Sequence, residues 1–250
     1  MKIGITIVAT NSYFVLGIRF IKRFMQFYKG KGEISFYMFT DKDPKDYLPD
    51  SINYVYIHTE HKNWVDGTNS KFTNILGISE LAKNEDYLYQ FDADTNVSKP
   101  FGDWFLGDLV GGRHYADHIY ETKPFERNPI SCACVPFEDK TPAMYYYGAF
   151  FGGKRVKVRC FCETLRAWQE ADQHKGFEPV WNDESYINKY FHLWPPKVIM
   201  CEDFPFDVSD KGGIGETRNP NLDVRKIESD LMLNREKNVN IVNGYVVLLD

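Results

Sequence analysis

A basic excess is missing from this 250-residue chain: 30 Lys and Arg stand against 35 Asp and Glu, a net charge of −5. Binding along a phosphate backbone needs a concentrated basic footprint, so nucleic acid is excluded as the main partner. Long hydrophobic runs are missing too. The stretch Ile3-Gly4-Ile5-Thr6-Ile7-Val8 is too short to span a bilayer and too β-branched for a signal-peptide core, and no later segment approaches spanning length. No membrane span and a cytoplasmic location are therefore the expectations. Cysteines number five, an odd count without a secretion signal, which argues against a disulfide framework. Cys132-Ala133-Cys134 and Cys160-Phe161-Cys162 are spaced more tightly than structural zinc ligands, so packed thiols are expected. The G-x-x-x-x-G-K-[ST], G-x-G-x-x-G and G-x-S-x-G patterns do not occur, and with them go the P-loop, the dinucleotide fingerprint and the nucleophile elbow.

Aromatic residues are plentiful, at 16 %, with 16 Tyr and 5 Trp. Their amphipathic rings suit a carbohydrate groove, and suit a core or an interface equally well. Apolar content of 43 % is ample for a core, and the length fits one large domain or one domain with an appended lobe.

Residues 2–8 read as a buried strand, followed by Asn11-Ser12 as an N-cap for an amphipathic helix to about residue 28. Phe14, Ile18, Ile21, Met25 and Tyr28 recur at helical spacing on it. Gly30-Lys31-Gly32 ends that helix, and Ile34 to Phe39, Ile52 to Ile57 and Tyr87 to Phe91 read as further strands, with a helix over 69–83. This alternation predicts an α/β fold with a doubly wound, mostly parallel sheet, whose ligands bind outside the carboxyl ends of the strands. The second half reads as less regular. Tyr145 to Phe151 is a strand with Gly152-Gly153 as its turn, residues 154–172 and 183–193 are helices, and from about 203 a loop or tail ends in a strand at Asn240–Leu249.

Two D-x-D triplets fall at predicted strand ends. Asp41-Lys42-Asp43 carries its own Lys and precedes Pro44, so it reads as a solvated turn. Asp92-Ala93-Asp94 follows an apolar strand and has no internal cation. Its two carboxylates disfavour one another unless a cation holds them, and Mg²⁺ or Mn²⁺ is bound in this way together with phosphate oxygens. A polar strand-end turn is the competing reading. Asp183-Glu184 opens a helix after Asn182, where macrodipole and N-cap preferences alone explain two acids. A carboxylate meeting an electron-poor carbon is the other reading. His58, His61, His114 and His118 read as surface or hydrogen-bonded side chains.

The linear order of these pieces resembles glycosyltransferase family 6, which includes the blood-group A and B transferases and bacterial relatives. The resemblance runs over most of residues 3–200. It rests on Phe39-Thr40-Asp41, Trp64-x-Asp66, Asp92-Ala93-Asp94, Glu126-Arg127, the Tyr145-to-Gly153 segment and Trp181-Asn182-Asp183-Glu184-Ser185-x-x-Asn188-Lys189-Tyr190. The last two are the most specific. It implies a single GT-A domain over 1–250: a nucleotide-binding half at 1–100, a less regular half at 101–202 for donor sugar and acceptor, and a C-terminal loop or tail at 203–250. It implies a retaining, metal-dependent hexosyltransferase, moving galactose or N-acetylgalactosamine from a UDP-sugar to a glycan acceptor, an oligosaccharide or glycolipid, in α1,3 linkage. A chain without an anchor or stem resembles the prokaryotic or viral members.

By the same resemblance, Asp92 and Asp94 hold Mn²⁺, or Mg²⁺, against the diphosphate. Val8, Ala9, Thr10, Tyr13, Lys71 and Asp92 contact the nucleotide, Lys71 standing where relatives carry Arg. Asp183, Tyr147, Gly148 and Ala149 contact the donor sugar, with the Ala149 methyl tilting the choice towards UDP-galactose. Glu184 is the catalytic carboxylate, either as a nucleophile or as a stabiliser of oxocarbenium character. His114 and Trp181 contact the acceptor. Asn182, Tyr115-Ala116 and Pro124 depart from the family pattern, all on the acceptor side. Lys211, Arg218, Arg225 and Lys226 are the candidates for a basic tail that closes over the diphosphate. A UDP-sugar hydrolase, or a non-catalytic glycan-binding protein on a transferase scaffold, are the alternative functions.

Overall fold

The computed structural model describes residues 1–114, 123–137, 144–199, 206–207, 239–242 and 245–248. Strand β1 (Lys2–Val8) starts a seven-stranded sheet that also contains β2 (Glu33–Thr40), β3 (Tyr54–His58), β4 (Tyr87–Asp92), β6 (Leu109–Arg113), β7 (Tyr146–Lys154) and β8 (Lys197–Ile199), while β5 (Asn96–Val97) lies outside it. Their spatial order is β3-β2-β1-β4-β7-β6-β8. Six strands run one way, and β7 alone is antiparallel to its neighbours β4 and β6. The order reverses between β1 and β4, where Val8 stands opposite Asp92. A crevice at such a switch point is where α/β sheets bind ligands.

Helix α1 (Tyr13–Phe27) lays Phe14, Ile18, Phe20, Ile21 and Phe24 on the sheet, all at most 1 % exposed. Phe20 and Phe24 meet Phe91 with ring centroids 5.1 and 5.8 Å apart, at the tilted and edge-on angles that aromatic quadrupoles favour. Each such ring contributes about 1.5–3 kcal/mol by leaving water. On the other side, α4 (Arg155–His174) and α5 (Asn182–Leu193) pack Phe161, Leu165, Ile187 and Phe191 into a second buried cluster. The α/β architecture with a mostly parallel sheet agrees with the sequence reading.

Several local expectations are corrected. Of the helix expected over 69–83 only the short α3 (Lys71–Gly77) forms, preceded across Ser70 by a second short helix, α2 (Trp64–Asn69). Asn63 starts α2, its side chain accepting from Asp66 N at 3.0 Å. Gly152-Gly153 is not a turn but the interior of β7. A Cβ on Gly152 would lie 2.1 Å from Tyr89 Cδ1, and Gly153 holds φ at +148° beside the Asp108 carbonyl. These glycines permit close backbone approach. Ser12 and Trp181, the N-cap residues of α1 and α5, make no side-chain cap bond, so neither Ser12 nor Asn182 caps its helix as expected. The terminal strand is an antiparallel pair, β10 (Val239–Val242) with β11 (Tyr245–Leu248), and β9 (Phe206–Asp207) pairs with β5. Asn243-Gly244 between β10 and β11 is a strong hairpin signal in the sequence. Lys211, Arg218, Arg225 and Lys226, with Cys201, His118, Tyr115 and Ala116, lie outside the described residues.

Candidate active site

A cleft of about 340 Å³ opens at the switch point, lined by Val8, Thr10, Tyr13, Trp64, Lys71, Asp92 and Asp94 among others. Five of the six residues expected at the nucleotide therefore share one cleft. Ala9 does not line it. Its side chain is fully buried in the core, where a Cβ on Gly17 would approach it to 2.7 Å. The loop after β1 was missed by sequence reasoning apart from its flanks: Asn11 and Ser12 line the cleft, with Asn11 at φ +57°. Asp41 holds that loop by accepting from Asn11 N at 2.8 Å. The first D-x-D triplet is thus a support for the cleft rather than only a solvated turn. On α2, Trp64, Gly67 and Thr68 face the cleft at helical spacing, with Lys71 one turn on.

Asp92 ends β4 and Asp94 follows in a turn closed by Thr95 N on the Asp92 carbonyl at 3.0 Å. Burial, then the negative charges of Asp94 and Asp92, hold the Tyr13 phenol proton far above its usual range, with Lys71 opposing. That places both carboxylates and the ammonium around one phenol. Burial lowers the Arg19 guanidinium's affinity for its proton, and the negative charge of Asp94 restores part of it. Two hard carboxylates at the mouth of one cleft fit Mg²⁺ or Mn²⁺, which bind one or two protein carboxylates and complete their shell with water or phosphate oxygens. Among the described residues no group of three or more His, Cys, Asp or Glu is placed to hold a metal. Cys132, Cys134, Cys160 and Cys162 are free thiols.

Lys71 links the cleft to the helix behind it. Its Nζ lies 2.7 Å from Asp92 Oδ1, 2.9 Å from Asp183 Oδ2 and 3.3 Å from the Gly148 carbonyl. Burial works against the ammonium, yet Asp183 and Asp92 outweigh it and raise its proton affinity. Burial pushes the Asp183 carboxyl up to about 6, with Lys71 pulling it back.

Glu184 is held just as firmly. The Gly148 N–H donates to its Oε2 at 2.7 Å and the Tyr145 hydroxyl to its Oε1 at 2.9 Å. Burial pushes the Glu184 carboxyl up to about 7, against the pull of those two donors. Tyr145 is wholly buried, and burial with the neighbouring Glu184 charge keeps its phenol protonated and donating. One turn along α5, the Asn188 amide accepts from Tyr146 N at 2.8 Å and donates to the Tyr146 and Glu184 carbonyls at 2.9 Å each. Asn188 thereby fastens α5 to β7, and Gly148 leaves room for the acid. A Cβ there would lie 3.0 Å from Glu184 Cβ and 3.3 Å from Oε2. The roles of Tyr145 and Asn188 were not read from the sequence; their places in the two most specific motif segments were the available signal.

Tyr147 carries the His114 ring at 4.2 Å, and His114 also meets Tyr145 edge-on at 5.5 Å. Ala149, 5 % exposed, belongs to the apolar core cluster together with Tyr147 and Phe150. Trp181 is half exposed immediately before the two acids. His114 is therefore brought against Tyr145 and Tyr147, the Trp181 carbonyl accepts from Glu184 N at 3.0 Å, and Tyr147 and Ala149 are both packed inward.

An α/β sheet with a cleft at its switch point, paired acids at the end of a central strand and a fixed carboxylate behind them defines a glycosyltransferase-type fold. The family model described as Glycosyltransferase family 6 matches residues 1–223, and the chain belongs to that family. It is 29 % identical to histo-blood group ABO system transferase 2 of Rattus norvegicus over 213 residues, covering 82 % of this chain and 63 % of the relative. It is 30 % identical to globoside alpha-1,3-N-acetylgalactosaminyltransferase 1 of Gallus gallus over 220 residues, 83 % of this chain and 62 % of the relative. With the O-antigen biosynthesis glycosyltransferase WbnI of Escherichia coli it shares 27 % identity over 191 residues, 70 % of this chain and 80 % of the relative. The chain spans about three fifths of the length of the rat and chicken relatives it matches. No described helix is long and apolar enough to cross a membrane.

Proposed function

We propose that this chain is a retaining hexosyltransferase that moves galactose or N-acetylgalactosamine from a UDP-sugar to a glycan acceptor in α1,3 linkage, with Mn²⁺ or Mg²⁺ as cofactor. The observation that carries the reading is the Asp92–Lys71–Asp183 chain of contacts, which joins the cleft at the switch point to the helix bearing Glu184. The relatives' printed names, among them an alpha-1,3-N-acetylgalactosaminyltransferase and an alpha-1,3-galactosyltransferase, support the linkage and the donor class.

In this reading the nucleotide occupies the cleft beside Val8, Thr10 and Tyr13. Asp92 and Asp94 would hold the cation, which when bound neutralises charge on the departing diphosphate. Lys71 supplies a fixed positive charge beside that diphosphate and keeps Asp183 oriented towards the sugar hydroxyls. Glu184 faces the anomeric carbon, either attacking it or stabilising its positive character. Both routes need an ionised residue held still: the Gly148 N–H and the Tyr145 hydroxyl hold it and favour the carboxylate, while burial opposes them and leaves the group at about 7. Tyr147 and His114 border the sugar and acceptor, and Trp181 forms a wall for the acceptor ring.

The test is a screen of UDP-galactose, UDP-N-acetylgalactosamine and UDP-glucose with Mn²⁺, Mg²⁺ or EDTA, with and without galactose-terminated acceptors, products being assigned by NMR. An α-linked product that needs the metal supports the reading. Free sugar alone, at a rate that acceptors do not change, supports the hydrolase. No turnover of any donor supports the glycan-binding alternative.

A further inference from the structure

Two buried carboxylates close to the site take no part in the chemistry above. Glu126 is 4 % exposed and accepts two backbone N–H groups: Asn128 N to Oε1 at 2.7 Å, and Val180 N to Oε2 at 3.0 Å. The second bond crosses 54 residues of chain and ends one residue before Trp181. Val180 lies inside a tight turn in which Asn182 N donates to the Pro179 carbonyl at 3.1 Å and Glu184 N to the Trp181 carbonyl at 3.0 Å. Within it Asn182 adopts φ +44°, a left-handed conformation that asparagine tolerates better than most side chains. Asp172, fully buried, ties the other end of the same loop. It accepts from Ser131 Oγ at 2.7 Å, from Cys132 N at 2.9 Å and from the Tyr186 hydroxyl of α5 at 3.2 Å. Residues 126–135 are thus bonded to the turn that enters α5 and, through Asp172 of α4, linked to α5 at Tyr186.

We infer that Glu126 is a positioning residue: by fixing Val180 N it sets the turn that presents Trp181 to the acceptor and starts the helix carrying Asp183 and Glu184. This rests on the transferase reading above. The geometry explains why a carboxylate stands at position 126. One side chain must accept two N–H donors, and a carboxylate is acceptor-only, whereas an amide has one oxygen and an NH₂ group that would face an N–H. Val180 is 69 % exposed, so without the carboxylate its N–H would turn to water and the turn would shift with it.

The test uses Glu126→Gln and Glu126→Ala in the full chain, each assayed well below its own melting midpoint. Hydrogen exchange of the peptide covering residues 178–186 reads the turn directly, and needs no activity. About tenfold faster exchange there, with the sheet peptides unchanged, is expected. Transfer kcat is expected to fall about tenfold for Gln and about 100-fold for Ala, the cost of a small misplacement at a reacting centre, while UDP affinity stays within about twofold. The apparent pKa of the acid limb should stay at the wild-type value, because the substitution leaves the Gly148 and Tyr145 donors to Glu184 in place. Unchanged exchange at 178–186, unchanged transfer, or a parallel loss of UDP affinity and of protection throughout the chain would each overturn the inference. A wild-type chain that turns over no donor would sink the transferase reading, and the positioning role with it, whatever the exchange data show.

Discussion

Lys71 and Asp183 are separated by 112 positions in the chain, and their side chains meet at 2.9 Å with 5 % and 4 % exposure. The same ammonium reaches Asp92 at 2.7 Å. One buried cation therefore couples the acidic strand end to the helix that bears Glu184. Lys71 thus compensates the buried Asp183 carboxyl, which burial pushes towards its neutral form.

Lys71→Met leaves that pair uncompensated. A cost of about 3–5 kcal/mol is expected. For a chain of this length that is a fall in melting midpoint of roughly 10 °C. Adding Asp183→Asn to Lys71→Met should recover part of the loss, and thermal melts of the three variants check this. Lys71→Arg tests the fork against the point charge: it should restore most of the stability if the pocket admits the larger head.

Gly148→Ala inserts a methyl 3.0 Å from Glu184 Cβ, and also 3.4 Å from Asp183 Oδ2. Glu184 must move while the cleft residues stay. Transfer kcat is expected to fall by about 100-fold, with UDP affinity by calorimetry changed less than about twofold.

The two D-x-D triplets separate by mutation. Asp94→Asn removes a proposed cation ligand and is expected to weaken metal-dependent donor binding by about tenfold or more, an effect that EDTA abolishes. Asp41→Asn keeps an oxygen able to accept from Asn11 N, so it should change little. Asp41→Ala frees the Asn11 loop and should weaken UDP binding several-fold, with or without metal. Equal effects of Asp94→Asn and Asp41→Asn would contradict the assignment.

Glu184 gives stability a pH signature. Its folded-state pKa of about 7 lies above the ordinary 4.5, so the folded chain holds the proton more tightly than the unfolded one. The resulting contribution is full below about pH 4.5 and is lost as pH rises through about 7. Asp183, raised to about 6, acts in the same direction. Glu184→Gln should therefore raise the melting midpoint more at pH 8 than at pH 5. Activity runs the other way, because the ionised form reacts: kcat/KM should fall as pH drops below about 7.

How much of this was legible follows from range. The strand–helix alternation through β4, the helices α1, α4 and α5, and the paired acids at 92 and 94 are carried by local periodicity and turn chemistry, and were read directly. Strand β6 was missed because Leu109-Val110-Gly111-Gly112-Arg113 carries two glycines, which weaken any strand pattern. Gly152-Gly153 misled for the same reason: their lack of side chains serves the approach of Tyr89 and Asp108, which lie far away in sequence. Lys71 was placed near the diphosphate by resemblance alone; its bonds to Asp92 and Asp183 span distances no local pattern encodes. Tyr145, Asn188 and Glu126 were visible as motif members but not as functional parts, since their long-range partners lie 39, 42 and 54 residues away.

The central claim is that Glu184 meets the anomeric carbon of a UDP-bound hexose and serves the reaction rather than the fold. The most direct measurement compares wild type and Glu184→Gln side by side, for turnover of the UDP-sugar selected in the donor screen and for UDP affinity by calorimetry. The account predicts a loss of about 10³-fold or more in turnover, with UDP affinity held within about twofold. A variant that still turns over the donor at near the wild-type rate, or one whose UDP affinity collapses along with turnover, would contradict it.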